Sequence, residues 1–203
     1  MDWVHYGGVY EYDWLFDAMR DLRGMNVRSV LIEDSNITDL ALSYVEDMLR
    51  FNSRVRVVTI DKQGCGDMGM DILESMIKYS KVHEINLPGM EIDCLSVANA
   101  LKDNTTLKVL RADYIQENVL IRMLNRSGLE EIECDQCYDD TDILMVLEAL
   151  ENSNLRSFKS GDFRVTYAQL NYLLARNTTL EEIQVYMLDE GELIRPIKLI
   201  SSN

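Results

Sequence analysis

The chain is poor in several residue types at once. It has 2 Pro and 10 Gly in 203 residues, far from the composition of a collagen-like or Pro/Gly-rich disordered chain. Its 4 Cys are too few for a disulfide scaffold. Basic residues are outnumbered: 20 Lys and Arg stand against 35 Asp and Glu, a formal net charge of −15. A field of that sign repels phosphate backbones and anionic lipid, which argues against direct nucleic-acid or membrane binding. No run of about 18 apolar residues occurs, so no helical membrane span is predicted. The segment from Met1 to Trp14 has neither a basic n-region nor an apolar h-region. It therefore does not read as a signal peptide, and a cytoplasmic protein with reduced thiols is expected.

What is present is a repeat. ALKDNTTLKVLRA (Ala100 to Ala112) and LLARNTTLEEIQV (Leu173 to Val185) are near-copies, and looser copies begin at Met48, Ser75, Met123 and Ala149. Anchored on the first strand residue, the units start at Val27, Val55, Val82, Leu107, Leu129, Leu155 and Leu180, with spacings of 28, 27, 25, 22, 26 and 25. Those spacings fall in the leucine-rich-repeat window of about 20–29. Apolar residues recur at offsets 0, 3 and 5 from each anchor, and the last two alternate as in a strand. Between strands the period becomes about 3.6, as in Ile37, Leu40, Ala41, Tyr44, Val45, Met48 and Leu49. A second stripe of this kind is Tyr167, Leu170, Leu173 and Leu174. Thr38-Asp39, Asp93 and Thr141-Asp142 are the candidate helix caps. The Asn of each NTT or NS segment is expected to end its helix in the left-handed conformation that Asn tolerates.

A strand-helix unit cannot bury its apolar face alone, so the units must stack. The prediction is an α/β fold: one right-handed solenoid of about seven strand-helix repeats, parallel strands inside the curve and helices outside. A single domain over 1–203 is expected, with residues 1–24 as N-terminal cap, 25–185 as repeats and 186–203 as C-terminal cap or tail. The junction "helix-Asn-x-x-Leu-x-x-Leu-x-Leu" resembles the leucine-rich repeats of the ribonuclease-inhibitor-like and tropomodulin-like group, over roughly Glu11 to Tyr186. That resemblance implies helices on the convex side and a protein-binding role. Many such repeats place Asn or Cys at offset 8. Here the position holds Ser35, Gln63, Met90, Ile115, Cys137, Phe163 and Leu188, and apolar filling of that corner is expected.

Chemistry-bearing patterns are few. Cys134-Asp-Gln-Cys137 has metal-ligand spacing but no second pair, and its repeat register turns both thiols inward, so they read as structural. Asp135, Asp139, Asp140 and Asp142 miss the spacing of a calcium loop. His5 and His83 have no catalytic partner, and there is no phosphate-binding Gly-rich loop or nucleophile elbow. The expectation is a non-enzyme without metal or cofactor.

The concave columns offer the first candidate site. Offset 1 carries Arg28, Arg56, His83, Lys108, Glu130, Arg156 and Glu181; offset 4 includes Arg111, Glu133 and Lys159. The alternating signs fit equally a cross-strand ion-pair network and a partner-binding surface. A second candidate is the N-terminal aromatic group, Trp3, Tyr6 and Tyr10, which reads as a cap on the core before it reads as a partner anchor; Trp3 or Tyr6 is expected to be at least partly exposed or at an intermolecular contact. Offset 5 holds small residues in three successive units, Ala112, Cys134 and Ser160, and Tyr114, Tyr138 and Phe163, or a helix drawn closer, are expected to fill the room they leave. Acidic residues gather at strand exits: Glu33, Asp34, Asp61, Asp113, Asp135, Asp139, Asp140, Asp162, Asp189 and Glu190. The functional expectation is a protein-protein interaction module or scaffold whose partner has a basic patch. The alternatives are a structural subunit held by the neighbouring subunits of a large assembly, and an inhibitor or regulator of a cationic enzyme.

Overall fold

The structure, a computed structural model, describes residues 3–6, 27–33, 39–61, 67–126, 128–137, 143–189 and 192–200. The strands are β1 (Trp3–Tyr6), β2 (Ser29–Glu33), β3 (Val57–Asp61), β4 (Glu84–Ile92), β5 (Val109–Ile115), β6 (Glu131–Gln136), β7 (Ser157–Thr166), β8 (Glu182–Asp189) and β9 (Glu192–Ile200). The helices are α1 (Asp39–Phe51), α2 (Asp67–Tyr79), α3 (Leu95–Asp103), α4 (Glu117–Arg126), α5 (Ile143–Glu151) and α6 (Tyr167–Arg176). All nine strands form one sheet in sequence order. β1 to β8 are parallel and β9 closes the series antiparallel to β8. This is the α/β repeat architecture that the anchors predict. Seven of the strands follow the seven anchors; β1 and β9 are additions at either end. β9 contains Pro196, which lacks a ladder donor and is tolerated on an edge strand.

Local pattern explains the layers. Offset 3 and offset 5 side chains are buried from Val30 and Ile32 in β2 to Ile183 and Val185 in β8, while α1 buries Val45, Met48 and Leu49 against them. Packed helices sit about 8–10 Å apart and paired strands about 4.8 Å, so stacking bends the solenoid toward the sheet. The stacking register is constant although the repeats differ in length. The carbonyl of each offset 1 residue accepts the N–H groups of offsets 1 and 2 in the next repeat, as Arg28 does from Arg56 (2.7 Å) and Val57 (3.1 Å). This pairing recurs at Arg56, His83, Lys108, Glu130 and Arg156.

The helix-ending asparagines work differently from the expectation. Asn104 (φ −84°, ψ 126°) and Asn177 (φ −80°, ψ 125°) are extended, not left-handed. Their side chains carry the function. Asn177 Oδ1 accepts the N–H groups of Thr179 (2.8 Å) and Leu180 (2.7 Å), while its Nδ2 donates to Leu150 O of the preceding repeat at 2.7 Å. Asn104 repeats the arrangement with Thr106 (2.8 Å), Leu107 (2.7 Å) and Ile77 O. Each Asn thus shapes its own turn and staples it to the turn before. Asn52 Oδ1 likewise accepts from Arg54 (2.9 Å) and Val55 (3.3 Å).

Two further expectations change. α3 is capped by Cys94, not Asp93, with no side-chain cap bond. The complete capping box lies at α6, where Thr166 and Gln169 satisfy each other's backbone N–H. In the stripe of α6, Tyr167 and Leu174 remain exposed, Leu174 at 40%. Leu49 and Leu101, which also sit six residues before an anchor, are 1% exposed because another helix packs beside theirs. α6 ends the described helical layer and lacks that neighbour.

The aromatics expected to fill the room at offset 5 differ in burial. Phe163 is fully buried and meets Phe158 edge to face, with ring centroids 5.5 Å apart. Tyr114 is only half-buried, and Tyr138 lies outside the described residues. The offset 8 corner is apolar, with Met90, Ile115, Cys137 and Phe163 buried. On the way to it β4 slips register between Leu87 and Glu91, where Gly89 takes φ 73°.

Candidate functional site

The open face of the sheet carries the charges that the helices leave uncovered. Strand alternation turns offsets 2 and 4 outward, and offset 1 stands at the strand entry. Arg111 lies at the centre, between β4 and β6. Its guanidinium binds Glu84, Glu131 (2.7 Å) and Glu133 (3.2 Å), and also donates to Asn86 Oδ1 at 2.8 Å. Burial opposes its charge, but the hydrogen bonds to Glu131 and Glu84 prevail and raise its pKa. Lys159 continues the chain from Glu131 (3.6 Å) and Glu133 (3.9 Å) to Glu182 (3.5 Å), and Lys198 of β9 closes on Glu182 at 2.5 Å. Lys198, by its hydrogen bond first, holds the Glu182 carboxyl below its ordinary range.

A second row runs along the strand entries. Lys108 meets Glu130 at 3.4 Å; Arg156 meets Glu130 at 3.9 Å and grips Glu181 with two nitrogens, at 3.0 and 2.8 Å. That grip lowers the Glu181 pKa and raises that of Arg156. In the two rows together, Lys108, Arg111, Arg156, Lys159 and Lys198 are matched by Glu84, Glu130, Glu131, Glu133, Glu181 and Glu182. The region is close to neutral and internally paired. Glu84, Glu131 and Glu182 all lie at offset 2, and they are the members that reading offsets 1 and 4 alone omits. The offset 2 column would have revealed them.

The remaining candidates stand apart from this network. Arg28, Arg56 and His83 are exposed at the entries of β2, β3 and β4, and no ion pair among the described residues includes them. Arg56 donates to Lys81 O at 2.8 Å, and His83 Nδ1 lies 3.1 Å from the same oxygen. Trp3 and Tyr6 belong to β1, paired with Ser29 and Ile32. Their side chains, and all of Tyr10, lie outside the described residues, as does the exposure expected of Trp3 or Tyr6.

At the strand exits, Asp61, Glu91, Asp93, Asp113 and Asp135 are exposed, with no ion pair among the described residues. Asp113 and Asp135 occupy neighbouring strands between the pairs Ala112–Cys134 and Tyr114–Gln136. Both border a hollow of about 330 Å³ whose lining includes Leu87, Pro88 and the small Ala112. Asp162 is not a free rim charge: it accepts from Cys137 N–H (3.1 Å) and Ser160 Oγ (3.0 Å). The side chains of Glu33 and Asp189, and all of Asp34, Asp139, Asp140 and Glu190, lie outside the described residues.

The thiols are placed as structural groups. Cys134 and Cys137 are free and buried, and Cys137 Sγ is 3.3 Å from Ser160 Oγ. The hydrogen bond with Cys137, and then burial, push the Cys134 pKa well above the ordinary thiol value. Among the described residues no group of His, Cys, Asp and Glu is arranged to hold a metal, and no helix is long and apolar enough to cross a membrane.

No family model and no curated protein matches this chain. Among solved structures, one described as Leiomodin-1 Actin-Binding Site 2 is similar at 14% identity with a TM-score of 0.42, over 84% of this chain and 91% of that one. At that identity, actin binding remains a property of that protein.

Proposed function

We propose that the protein is a non-enzymatic interaction module: a cytoplasmic leucine-rich-repeat solenoid of the ribonuclease-inhibitor-like and tropomodulin-like group, one domain over 1–203, that binds a protein partner with a basic patch. The observation that carries this reading is the division between paired and unpaired charge. Carboxylates on the middle of the open face are already engaged by Arg111, Lys159 and Arg156. Those at the strand exits, Asp61, Asp113 and Asp135 among them, are exposed and free to meet a cationic surface. A net field of −15 would steer such a partner and speed encounter. The ion-paired sheet would hold the docking surface rigid, which lowers the ordering cost of binding. Trp3, Tyr6 and Tyr10 would add aromatic anchors at one end.

The test is affinity purification from the native source at low and high salt, with wild type and Asp113→Asn/Asp135→Asn. A partner that is held at low salt, released at high salt and weakened by the double variant is the expected result. Retention indifferent to both would overturn the reading. A second reading, a structural subunit of a larger assembly, is favoured by large apolar side chains exposed on the helical layer, Phe51 at 71% and Leu144 at 65%. It requires a stoichiometric complex that survives high salt. If the salt-released partner is a cationic enzyme that loses activity when bound, the module acts as an inhibitor.

A further inference from the structure

We infer that the strand-entry rim of the first four repeats is a second docking surface, opposite in sign to the strand exits, and that it takes an acidic segment of another protein. The turns leading into β3, β4 and β5 span residues 52–56, 79–83 and 104–108, and none contains Asp or Glu. They carry Arg54, Arg56, Lys81, His83 and Lys108, with Arg28 at the entry of β2. In a chain of net charge −15, this is a stretch of one sign where the opposite sign predominates.

Its geometry is set by the backbone. The repeated carbonyl bridges at Arg28, Arg56 and His83 hold Arg28, Arg56, His83 and Lys108 in line across adjacent strands, about 4.8 Å apart. Arg56 and His83 are both tied to Lys81 O, so these side chains are positioned before any partner arrives. The rim ends at Lys108, which is drawn toward Gly128 O (3.2 Å) and Glu130 (3.4 Å), where the paired rows begin. Beside the cations, Leu31, Val57 and Thr59 present a half-buried, mostly apolar strip.

That combination fits a short extended segment in which carboxylates alternate with apolar side chains. Arginine binds a carboxylate through two parallel N–H donors, and the strip receives the residues between. Nucleic acid fits poorly: the rim's Lys and Arg are Arg28, Arg54, Arg56, Lys81 and Lys108, short of the roughly 6–10 phosphate contacts of a typical binder, and the rest of the molecule repels phosphate. The inference is independent of the basic-partner proposal, since it concerns the opposite rim.

The probe is a fluorescently labelled peptide alternating Glu with Leu, compared with the same peptide carrying Gln for Glu and with a single-stranded DNA oligonucleotide, by anisotropy at low salt. The Glu peptide is expected to bind, to be released by salt, and to lose about tenfold or more in affinity to Arg28→Glu/Arg56→Glu. Arg164→Glu, toward the exit end of β7, should bind as wild type does. Unfolding midpoints of the variants are compared so that misfolding is not read as lost binding, and a single Arg56→Gln serves if the double variant fails to fold. Equal affinity for the Gln peptide, tighter binding of DNA, or indifference to the rim substitutions would overturn the inference. Self-association in sedimentation that the rim variant abolishes would also overturn it, by making the occupant the acidic rim of a second copy.

Discussion

Asn177 shows how one side chain can do the work of two repeats. It is 8% exposed, satisfies two N–H groups of its own turn and donates to Leu150 O one repeat back. Asn177→Ala should cost about 1–3 kcal/mol, since the N–H groups of Thr179 and Leu180 lose their acceptor in a buried turn. Asn177→Asp keeps that acceptor but sets a carboxylate against Leu150 O, so it should not restore the urea midpoint at neutral pH. The recurrence of Asn was legible in the sequence; its mechanism was not, because its donor reaches a carbonyl 27 residues away. A pair of glycines tests close approach. A Cβ at Gly161 would stand 2.8 Å from Asp135 O, whereas at Gly128 the nearest atom is Asn104 O at 3.5 Å. Gly161→Ala should therefore destabilise by about 1–3 kcal/mol, and Gly128→Ala should change stability by less than about 1 kcal/mol in either direction. Both are read from chemical denaturation.

At the scale of elements, the sheet is pinned by charge as well as by its core. Arg111 joins β4, β5 and β6 through Glu84, Glu131 and Glu133. Arg111→Ala would leave Glu84 without its cation and Glu131 and Glu133 with Lys159 alone. Each pair is partly exposed and contributes about 0–1 kcal/mol, so a loss of about 1 kcal/mol in total is expected, shrinking as salt is raised. A loss unchanged by salt would assign it to packing of the Arg stem instead. Offsets 1 and 4 announced alternating charge in the sequence, and in the structure Lys108, Arg111, Arg156 and Lys159 pair with neighbouring glutamates. The offset 2 glutamates escaped notice because at half-buried strand positions they resemble ordinary solvent-facing residues. Their importance depends on which cation the next strand brings alongside. The stripe of α6 carries the same lesson. Leu174 matches Leu101 in spacing, but burial at that position depends on whether another helix packs beside it.

Across the whole molecule, acid should loosen the solenoid. Lys78, Arg156 and Lys198 hold the carboxyls of Glu74, Glu181 and Glu182 below the ordinary carboxylate value of 4.5 in the folded state. Around that value the unfolded chain binds more protons than the folded one, so stability rises with pH through this window. The contribution is present above about pH 5 and is lost as pH falls through the lowered folded values. The urea midpoint is expected to drop between about pH 5 and 3, with a shallower slope in Glu182→Gln and at high salt. The sequence by itself determined the repeat, the alternation of strand and helix, the seven core strands and the inward cysteines, because all of these follow from spacing along one chain. Only the tertiary structure decided which charges are spent on one another and which remain open. The ion-pair partners of Arg111 and Lys159 on this sheet lie 20 to 28 residues away in sequence, and stacking alone fixes who stands opposite whom. That separates a paired, near-neutral middle from strand-exit carboxylates such as Asp113 and Asp135, and strand-entry cations such as Arg28 and Arg56, that make no ion pair among the described residues.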